Sequence, residues 1–509
     1  MNHLNLISLL GIFVMIGLAW LVSSHRTKVN WRLVVIGIAL QAVFAAVLFQ
    51  SQNWTFNKQF SDFGEVKTAV EAGNFPVTRL DDVLAKTEFK SFEAASKALE
   101  DSQTTEAALT KVITNDNGDI RIATYPNGIL FAGVNSFFES INKYVEEGSS
   151  FVFRANGSKS DPLELLKTFA FGVLPTVIFF ASLMSILYYL GVMQILIKLM
   201  SWVMQKTLGT SGPESMAAAA NVLVGHTEAP LVVRPFVENM TRSELNALMV
   251  GGFATISGSL MAIFVVFSGI SAGHLLTASI ISAPAALVIA KIMQPETETT
   301  AAVTTIEKEP DNAATNVIEA AAIGASDGVQ LAINITAMLI AFLALLAMAN
   351  ALLAGFGELV QYLINLVVVT PVDLQWSLNN LFAALFYPLA WIMGIETGDC
   401  AIAGELLGKK VVLNEFVAYS EMGDIMAGKV MDAENNPVSI SERTEIIMTY
   451  ALCGFSNFGA IGIQIGGIGP LAPSRRSDLA QLGLRAMFGG MLAACMTACM
   501  AGMMYGILR

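Results

Sequence analysis

The amino-acid sequence predicts an all-α polytopic membrane protein with about eight transmembrane helices and one small polar insertion. Of the 509 residues, 54% are hydrophobic and only 14% are charged, and the mean hydropathy is +0.60, whereas soluble domains carry about 25% charged residues. Apolar runs recur along the chain, each close to the roughly 20 residues that cross a bilayer core. These runs lack the alternation of a barrel strand, so membrane-spanning helices are the remaining solution.

The predicted spans are the apolar runs of the sequence. They cover 6–22, 33–49, 169–192, 245–267, 275–293, 329–353, about 446–468 and about 479–508. Two further segments, 213–237 and 376–419, are apolar but broken by glycine, proline and polar residues. We interpret these two segments as interrupted helices at membrane depth.

Basic residues predict the orientation. No Lys or Arg precedes the first apolar run, which favours a retained helix over a cleaved signal peptide. Arg26, Lys28 and Arg32 follow that run and indicate a cytoplasmic loop. With eight spans, Arg475 and Arg476 are also inside, and both termini are extracytoplasmic. The net charge of −12 argues against nucleic-acid binding. All four cysteines lie in apolar segments, so we expect no disulfide framework.

The one large polar insertion begins at residue 51 and is extracytoplasmic in this topology. Residues 120–125 alternate like a short strand, and residues 129–144 have the pattern of an amphipathic helix on the membrane surface. Nothing in the insertion matches a catalytic or metal-binding motif. No Walker A loop, HExxH or GxSxG occurs in the chain either, so we expect neither an enzyme nor a tightly bound cofactor.

Two glutamates are the main functional candidates in the broken segments, one in each segment. Glu228 follows Asn221 and His226 in AAAANVLVGHTEAP at 217–230, and Glu415 lies in LNEF at 413–416. An ionisable side chain at the bilayer centre costs about 2.5–3.5 kcal/mol or more, so it is a functional candidate. Each segment precedes a span that is itself interrupted, at 255–259 and at 453–459, and the two halves run in opposite senses. Such paired breaks predict the midplane binding site of a secondary transporter.

The polar side chains at these breaks suit an ion and a polar ligand. Asn221 and Thr255 offer uncharged oxygens beside freed carbonyls, which suits sodium, although hydrogen bonds between helices explain them equally. Glu228 and Glu415 can accept bonds from ligand hydroxyl or ring N–H groups. Glu228 could instead cap backbone amides or carry a proton. The remaining three candidates have both ligand and packing interpretations: His226, Phe455 and Asn457.

Four motifs carry a family resemblance. VGHTEAP at 224–230, TISGS at 255–259, LNEFVAY at 413–419 and ALCGFSNF at 451–458 occur in this order. Together they resemble the concentrative nucleoside transporter family, closely over about 129–509 and loosely over 1–50. The resemblance implies a homotrimer with eight spans and two re-entrant hairpins in inverted repeats, in which a transport domain moves like an elevator against a trimerisation scaffold.

The resemblance also implies roles for individual residues. Sodium would be held by the side chains of Asn221 and Thr255 and by the carbonyls of Val224 and Ile256. Glu415 and Asn457 would bond the ribose hydroxyls, with Phe455 near the sugar. The nucleobase would be surrounded by four residues: His226, Thr227, Glu228 and Leu260.

Six segments follow from this interpretation. They are transmembrane helices 1 and 2 (1–50); the insertion (51–128); an interfacial helix, helix 3 and a cytoplasmic interfacial helix (129–205); the first hairpin with helices 4 and 5 (206–293); a cytoplasmic loop, helix 6 and an interfacial helix (294–375); and the second hairpin with helices 7 and 8 (376–509).

The chain departs from the family pattern at several positions. His226 occupies a position where glutamine is common in the family. The resemblance therefore does not fix which nucleobase is preferred, and it allows nucleoside binding to depend on pH. Ala460 stands where a ribose-contacting serine is frequent, so one hydroxyl contact is lost. Thr255 often appears as serine and keeps the oxygen that sodium needs. The insertion from about 52 to 127 is not part of the usual bacterial core.

The main hypothesis is therefore a sodium-coupled nucleoside importer of a bacterial inner membrane, with sodium as the coupling ion and no other cofactor. A proton-coupled nucleoside symporter that uses Glu228 or His226 is the closest alternative. A sensor or channel-like protein that acts through the polar insertion is a third hypothesis, from a different class.

Overall fold

A computed structural model describes most of the hydrophobic chain. The described residues are 3–50, 56–60, 110–114, 120–124, 144–145, 148, 152, 174–226, 228–298, 314–365, 377–431 and 436–505. The chain divides into two compact units, one formed by Met1–Ala45 with Phe137–Ile507 and the other by Ala46–Ser136 with Leu508–Arg509. The predicted interfacial helix over 129–144 lies outside the described residues except for Tyr144.

The smaller unit contains a three-stranded antiparallel sheet. Its strands are β1 (Phe56–Phe60), β2 (Thr110–Thr114) and β3 (Ile120–Thr124), in the order β1-β3-β2. In the register, Phe56 and Thr110 both pair with Thr124. The strand predicted from the alternation at 120–125 is therefore confirmed, as the central strand of the sheet.

The larger unit is helical throughout its described part. Its helices are α1 (His3–Leu21), α2 (Trp31–Gln50), α3 (Leu174–Tyr189), α4 (Val192–Leu208), α5 (Gly212–Leu223), α6 (Ala229–Val232), α7 (Arg234–Val237), α8 (Arg242–Ala254), α9 (Gly258–Ser268), α10 (Ala272–Met293), α11 (Val317–Asn365), α12 (Leu378–Ile392), α13 (Cys400–Val412), α14 (Glu415–Met426), α15 (Glu442–Leu452), α16 (Phe458–Ile468) and α17 (Arg476–Met504). The all-α polytopic fold class predicted for the membrane part is confirmed.

Five of the described helices are long and apolar enough to cross a membrane, or six if the bent pair α3 and α4 forms one span. The bend between α3 and α4 is 75°, and it falls at Gly191, whose φ of +80° favours glycine. The predicted sixth span is the middle of α11, a continuous helix of 49 residues. The predicted fourth and seventh spans are each divided, into α8 and α9 and into α15 and α16.

The divided helices have matching breaks in the two halves. The first lies between Ala254 and Gly258, and the second lies between Leu452 and Phe458. Each second arm begins with a capping side chain, because Ser257 Oγ accepts from the Leu260 N–H at 3.3 Å and Asn457 Oδ1 accepts from the Ala460 N–H at 2.8 Å. Such caps satisfy N–H groups that a helix start leaves free. The two breaks differ in length, and they share a side-chain cap on the helix that follows.

A buried ion-pair cluster anchors the base of the first broken segment. Glu214, in the first turn of α5, accepts a bond from the Ser211 N–H at 2.7 Å in a capping box. Its other carboxylate oxygen lies 2.6 Å from Lys291 Nζ on α10, and Lys291 also donates to Ser243 Oγ on α8 at 3.0 Å. This cluster links α5 to α8 and α10, and removal of either partner of the ion pair would leave an uncompensated buried charge.

A second buried cation ties the ends of the chain together. Arg443, in the first turn of α15, donates to Gly394 O at 2.7 Å, Asn5 Oδ1 at 2.7 Å, Ser8 Oγ at 3.1 Å and Gly502 O at 3.0 Å. These four acceptors belong to α1, α17 and the turn after α12. The guanidinium thereby holds the start of α15 in place, and α15 ends at the second break.

Helices α3 and α11 pack at close range through glycine. A Cβ added at Gly328 would lie 2.7 Å from Ile178 Cα and 3.0 Å from Ala181 Cβ, and one added at Gly324 would lie 2.6 Å from Ala181 O. Small residues four apart let two helix backbones approach in a membrane. The hydroxyl of Ser182 adds a bond to Ala321 O at 2.9 Å.

We expect Gly328→Leu to destabilise the protein by about 1–3 kcal/mol or more, because overpacking at a backbone contact forces the helices apart. The measurement is the thermal unfolding midpoint of the purified protein in detergent. Gly355→Leu is the matched control, since Gly355 lies on the same helix with nothing within 4 Å of an added Cβ. Equal midpoints for the two variants would contradict the packing role of Gly328.

Candidate functional site

The first half of the candidate site surrounds Asn221, near the end of α5. Its side chain is 1% exposed, and within the described part of the chain neither Oδ1 nor Nδ2 has a hydrogen-bond partner. Nδ2 lies 2.9 Å from where a Cβ on Gly251 would be, and Thr255 Oγ1 donates to Gly251 O at 2.9 Å. Two of the predicted ion ligands therefore meet at the same residue of α8, and one of them has unused polar atoms.

Ser279 of α10 links the last turn of α5 to the break after α8. Its hydroxyl lies 3.2 Å from Val222 O and 3.3 Å from Ile256 O. Gly225, with φ +98°, approaches so closely that an added Cβ would lie 2.6 Å from Ser257 Cβ. The predicted ligands Val224 and Ile256 are thus in neighbouring turns. Sequence reasoning missed Ser279, because a serine in a long apolar helix gave no signal.

Glu228 is the acidic residue of this half of the site, and it lies next to Gly225. Glu228 is exposed at the surface of this chain, and its Oε2 lies 3.3 Å from where a Cβ on Gly225 would be. The expectation of a buried carboxylate is therefore wrong for Glu228, which lies at the N-cap of α6. Thr227 lies outside the described residues.

The second half of the site is centred on Glu415, the first residue of α14. Glu415 is 1% exposed, so the expected burial is confirmed for this carboxylate. Asn457 Nδ2 donates to Glu415 Oε2 at 3.0 Å, while Asn457 Oδ1 caps α16. An ionised carboxylate has about four lone-pair positions, so the contact with Asn457 leaves acceptor capacity for other donors. The neighbour Ala460 is buried and contributes its backbone N–H to that cap.

A lysine that sequence reasoning missed completes this half. Lys410 on α13 is fully buried, and its Nζ donates to Ala451 O at 2.8 Å and Cys453 O at 3.2 Å, at the end of α15. It also interacts electrostatically with Glu415. Its neighbour Lys409 instead pairs with two carboxylates, at 2.6 and 2.5 Å. In the sequence the two lysines look alike, and only the tertiary structure distinguishes them.

An aromatic contact joins the two halves. The ring centroids of His226 and Phe455 lie 4.2 Å apart with an interplanar angle of 46°. A Cβ added at Gly252 would meet Gln464 Nε2 at 2.6 Å and His226 Cβ at 2.9 Å, so α16 also reaches this junction. Among the described residues, His226 Nε2 and Gln464 Oε1 are buried without a hydrogen-bond partner. Gln464 is a further residue of the site that no motif indicated.

The last predicted contact residue, Leu260, is buried in the first turn of α9 next to the Ser257 cap. Within the described ranges no group of three or more His, Cys, Asp or Glu side chains could hold a metal ion. The donors around Asn221 are instead amide, hydroxyl and carbonyl oxygens, which hard cations prefer.

The fold and this site define a class. Two broken helices with polar side chains at each break, within a multi-pass helical body, are features of secondary transporters. Family models match over most of the chain: "Na+ dependent nucleoside transporter N-terminus" at 10–63, "Nucleoside recognition" at 170–271 and "Na+ dependent nucleoside transporter C-terminus" at 274–502.

Individual relatives agree with the family models. An uncharacterized transporter of Haemophilus influenzae is 45% identical over 369 residues, which are 72% of this chain and 82% of that protein. Sodium/nucleoside cotransporter 1 of Rattus norvegicus is 42% identical over 396 residues, 75% of this chain and 57% of that protein. The matched region thus spans somewhat more than half the length of this mammalian relative.

Solved structures give the same result. CNTnw in an inward-facing substrate-bound state superposes with a TM-score of 0.72 at 35% identity, covering 99% of this chain and 98% of that chain. CNTnw variants in outward-facing and intermediate states also match, with TM-scores from 0.71 to 0.73. The chain belongs to the concentrative nucleoside transporter family, whose members are membrane transporters and not enzymes.

Proposed function

We propose that this protein is a secondary active symporter that imports nucleosides by using a sodium gradient. The observation that carries the proposal is the buried side chain of Asn221, whose amide oxygen and nitrogen have no partner within the described structure. Leaving a buried polar group unsatisfied costs about 1–3 kcal/mol. A cation bound by Asn221, Thr255 and the carbonyls of Val224 and Ile256 would use the amide oxygen in every transport cycle.

The second half of the site suits a nucleoside, which combines vicinal hydroxyls with a flat base. Glu415 and Asn457 form a hydrogen-bonded pair that can accept and orient the ribose hydroxyls. Phe455 and His226 offer ring surfaces next to that pair, and the buried His226 Nε2 supports a contact with the base. Thr227, Glu228 and Leu260 would complete the surroundings of the base.

Sodium binding and nucleoside binding are coupled because the residues proposed for both lie in one short segment of the chain. Asn221 and Val224 directly precede His226, Thr227 and Glu228 in the same broken segment. A sodium ion that holds α5 against the break of α8 would order this segment and so favour nucleoside binding. Thermodynamic linkage then requires the nucleoside to strengthen sodium binding by the same factor.

Helices α3 and α11 support an elevator-type mechanism in a homotrimer. They pack tightly on each other through Gly324 and Gly328. In the apolar stretch Leu343–Tyr362 of α11, only 6% of the residues are buried within the chain. Such an apolar surface suits contact with lipid and with other subunits. We place the protein in the bacterial inner membrane as a multi-pass protein with both termini extracytoplasmic, following the basic loops at Arg26 and Arg475.

The experiment is uptake of radiolabelled uridine into proteoliposomes at fixed pH, with and without an inward sodium gradient. We expect saturable, concentrative uptake only with sodium. Uptake driven by a proton gradient without sodium would instead support the alternative that uses Glu228 or His226. The absence of saturable, concentrative uptake under both conditions would refute transport and favour the sensor or channel-like hypothesis. Competition by unlabelled purine nucleosides would test the base preference at His226.

A further inference from the structure

Lys410 has unusual surroundings for a buried lysine. Its side chain is fully buried on α13, and its hydrogen-bond acceptors within the described structure are two main-chain carbonyls, Ala451 O at 2.8 Å and Cys453 O at 3.2 Å. The neighbouring Lys409 shows the usual solution, since it pairs with Glu405 and Glu421. An ammonium held by carbonyl oxygens at a helix end resembles a bound alkali cation more than a salt bridge.

The position of Lys410 in its repeat matches that of Asn221. Helix α5 ends with Val224 as its C-cap, and α13 ends with Leu413 as its C-cap. Asn221 and Lys410 each lie three residues before these caps. Each of them faces the broken helix that follows in its own repeat, Asn221 at Gly251 of α8 and Lys410 at the last carbonyls of α15.

Both positions therefore lie beside the last turn of a broken helix. The last turn of a helix has carbonyls without intrahelical partners and carries partial negative charge, which attracts a cation. In the first repeat the uncharged Asn221 leaves that role to a free ion. In the second repeat the Lys410 ammonium, a compact charge with three donors, already binds the carbonyls.

We propose that Lys410 is a tethered cation, which occupies in the second repeat the place that the coupling sodium takes in the first. This inference rests on the proposed function. The second break then needs no free ion, and each nucleoside enters with one sodium. The ammonium also holds the end of α15 and attracts the Glu415 carboxylate, so it positions the ribose-binding pair independently of the sodium concentration.

Two variants separate a tethered charge from a packing role. Lys410→Met removes the charge and keeps the bulk, so we expect uridine uptake to fall at least roughly tenfold at every sodium concentration. Lys410→Asn copies Asn221, so we expect high sodium to restore part of the uptake, with a Hill coefficient for sodium that rises from about 1 toward about 2. Lys409→Met is the matched control and should retain the wild-type Hill coefficient.

Wild-type uptake in Lys410→Met would overturn the proposal, and so would a Lys410→Asn variant no better than Lys410→Met at any sodium concentration. If neither Lys410 variant folds, the wild-type protein decides, through the charge moved per uridine in voltage-clamped proteoliposomes. One charge per uridine supports the tethered cation, and two charges refute it. A wild-type protein without sodium-dependent uptake would refute the proposed function itself.

Discussion

Replacing Glu415 with glutamine will abolish concentrative uridine uptake, by a factor of roughly 100 or more, since hydrogen bonds to a charged group contribute about 1.5–3 kcal/mol each. The reason lies in Asn457, which donates to Glu415 Oε2 at 3.0 Å while its own oxygen caps α16 through Ala460. The side-chain amide of Asn457 cannot flip without losing the cap that its oxygen provides to α16. The new amide must therefore turn its oxygen to Asn457 and present a donor to the sugar hydroxyls, which also need an acceptor.

The measurement compares uptake and binding of uridine and of 2′,3′-dideoxyuridine in the wild type and in Glu415→Gln. The loss should be large for uridine and small for the dideoxy analogue, because the coupling between Glu415 and the hydroxyls is absent there. Asp424→Asn is the control on the same helix, since the Asp424 side chain is about half exposed and pairs with Lys429 at 3.0 Å, an interaction of about 0–1 kcal/mol. Wild-type uptake by Glu415→Gln would refute the ribose assignment.

Asn221→Leu will stabilise the protein in sodium-free buffer and at the same time eliminate sodium-driven uptake. Leucine is similar in size, and it removes two buried polar atoms that have no partner in the described structure, which relieves a penalty of about 1–3 kcal/mol. The same change removes the amide oxygen proposed to hold sodium. We expect the unfolding midpoint to rise and to become insensitive to sodium, whereas sodium raises the midpoint of the wild type.

Asn246→Leu provides the matched control, because Asn246 is also fully buried but its Nδ2 donates to Ala290 O at 3.2 Å, and in the described structure its Oδ1 alone lacks a partner. Its replacement should lower the midpoint, since it breaks a bond between α8 and α10, and should leave the sodium response in place. Sodium-stimulated uptake by Asn221→Leu at the wild-type level would contradict the ion assignment. A loss of stability equal to that of Asn246→Leu would show that Asn221 has a structural partner.

Much of the helical framework and part of the candidate site could be predicted from the sequence, because both depend on local patterns. Apolar length indicates where a helix crosses lipid, and the polar breaks indicated where α8 and α15 end. The capping residues Ser257 and Asn457 lie in motifs that can be recognised in the sequence. The strand at 120–125 was predicted from alternation and is the central strand of its sheet.

Contacts between distant parts of the chain could not be predicted in this way. His226 and Phe455 are more than 200 positions apart in the sequence, yet their rings lie 4.2 Å apart. Gln464 and Ser279 enter the site from helices whose patterns read as ordinary apolar spans. The continuous α11 was likewise not apparent from hydropathy, which measures composition and not direction.

By itself, the sequence determined the membrane class of this protein, the places where its helices break and the family motifs, since each depends on residues close together in the chain. The tertiary structure alone decided which polar groups have partners. It buries Glu415 and exposes Glu228, and it gives Lys409 carboxylates and Lys410 carbonyls. The physical reason is that a polar group inside a membrane protein must be satisfied by whichever helix packs against it, and that neighbour is set by long-range packing.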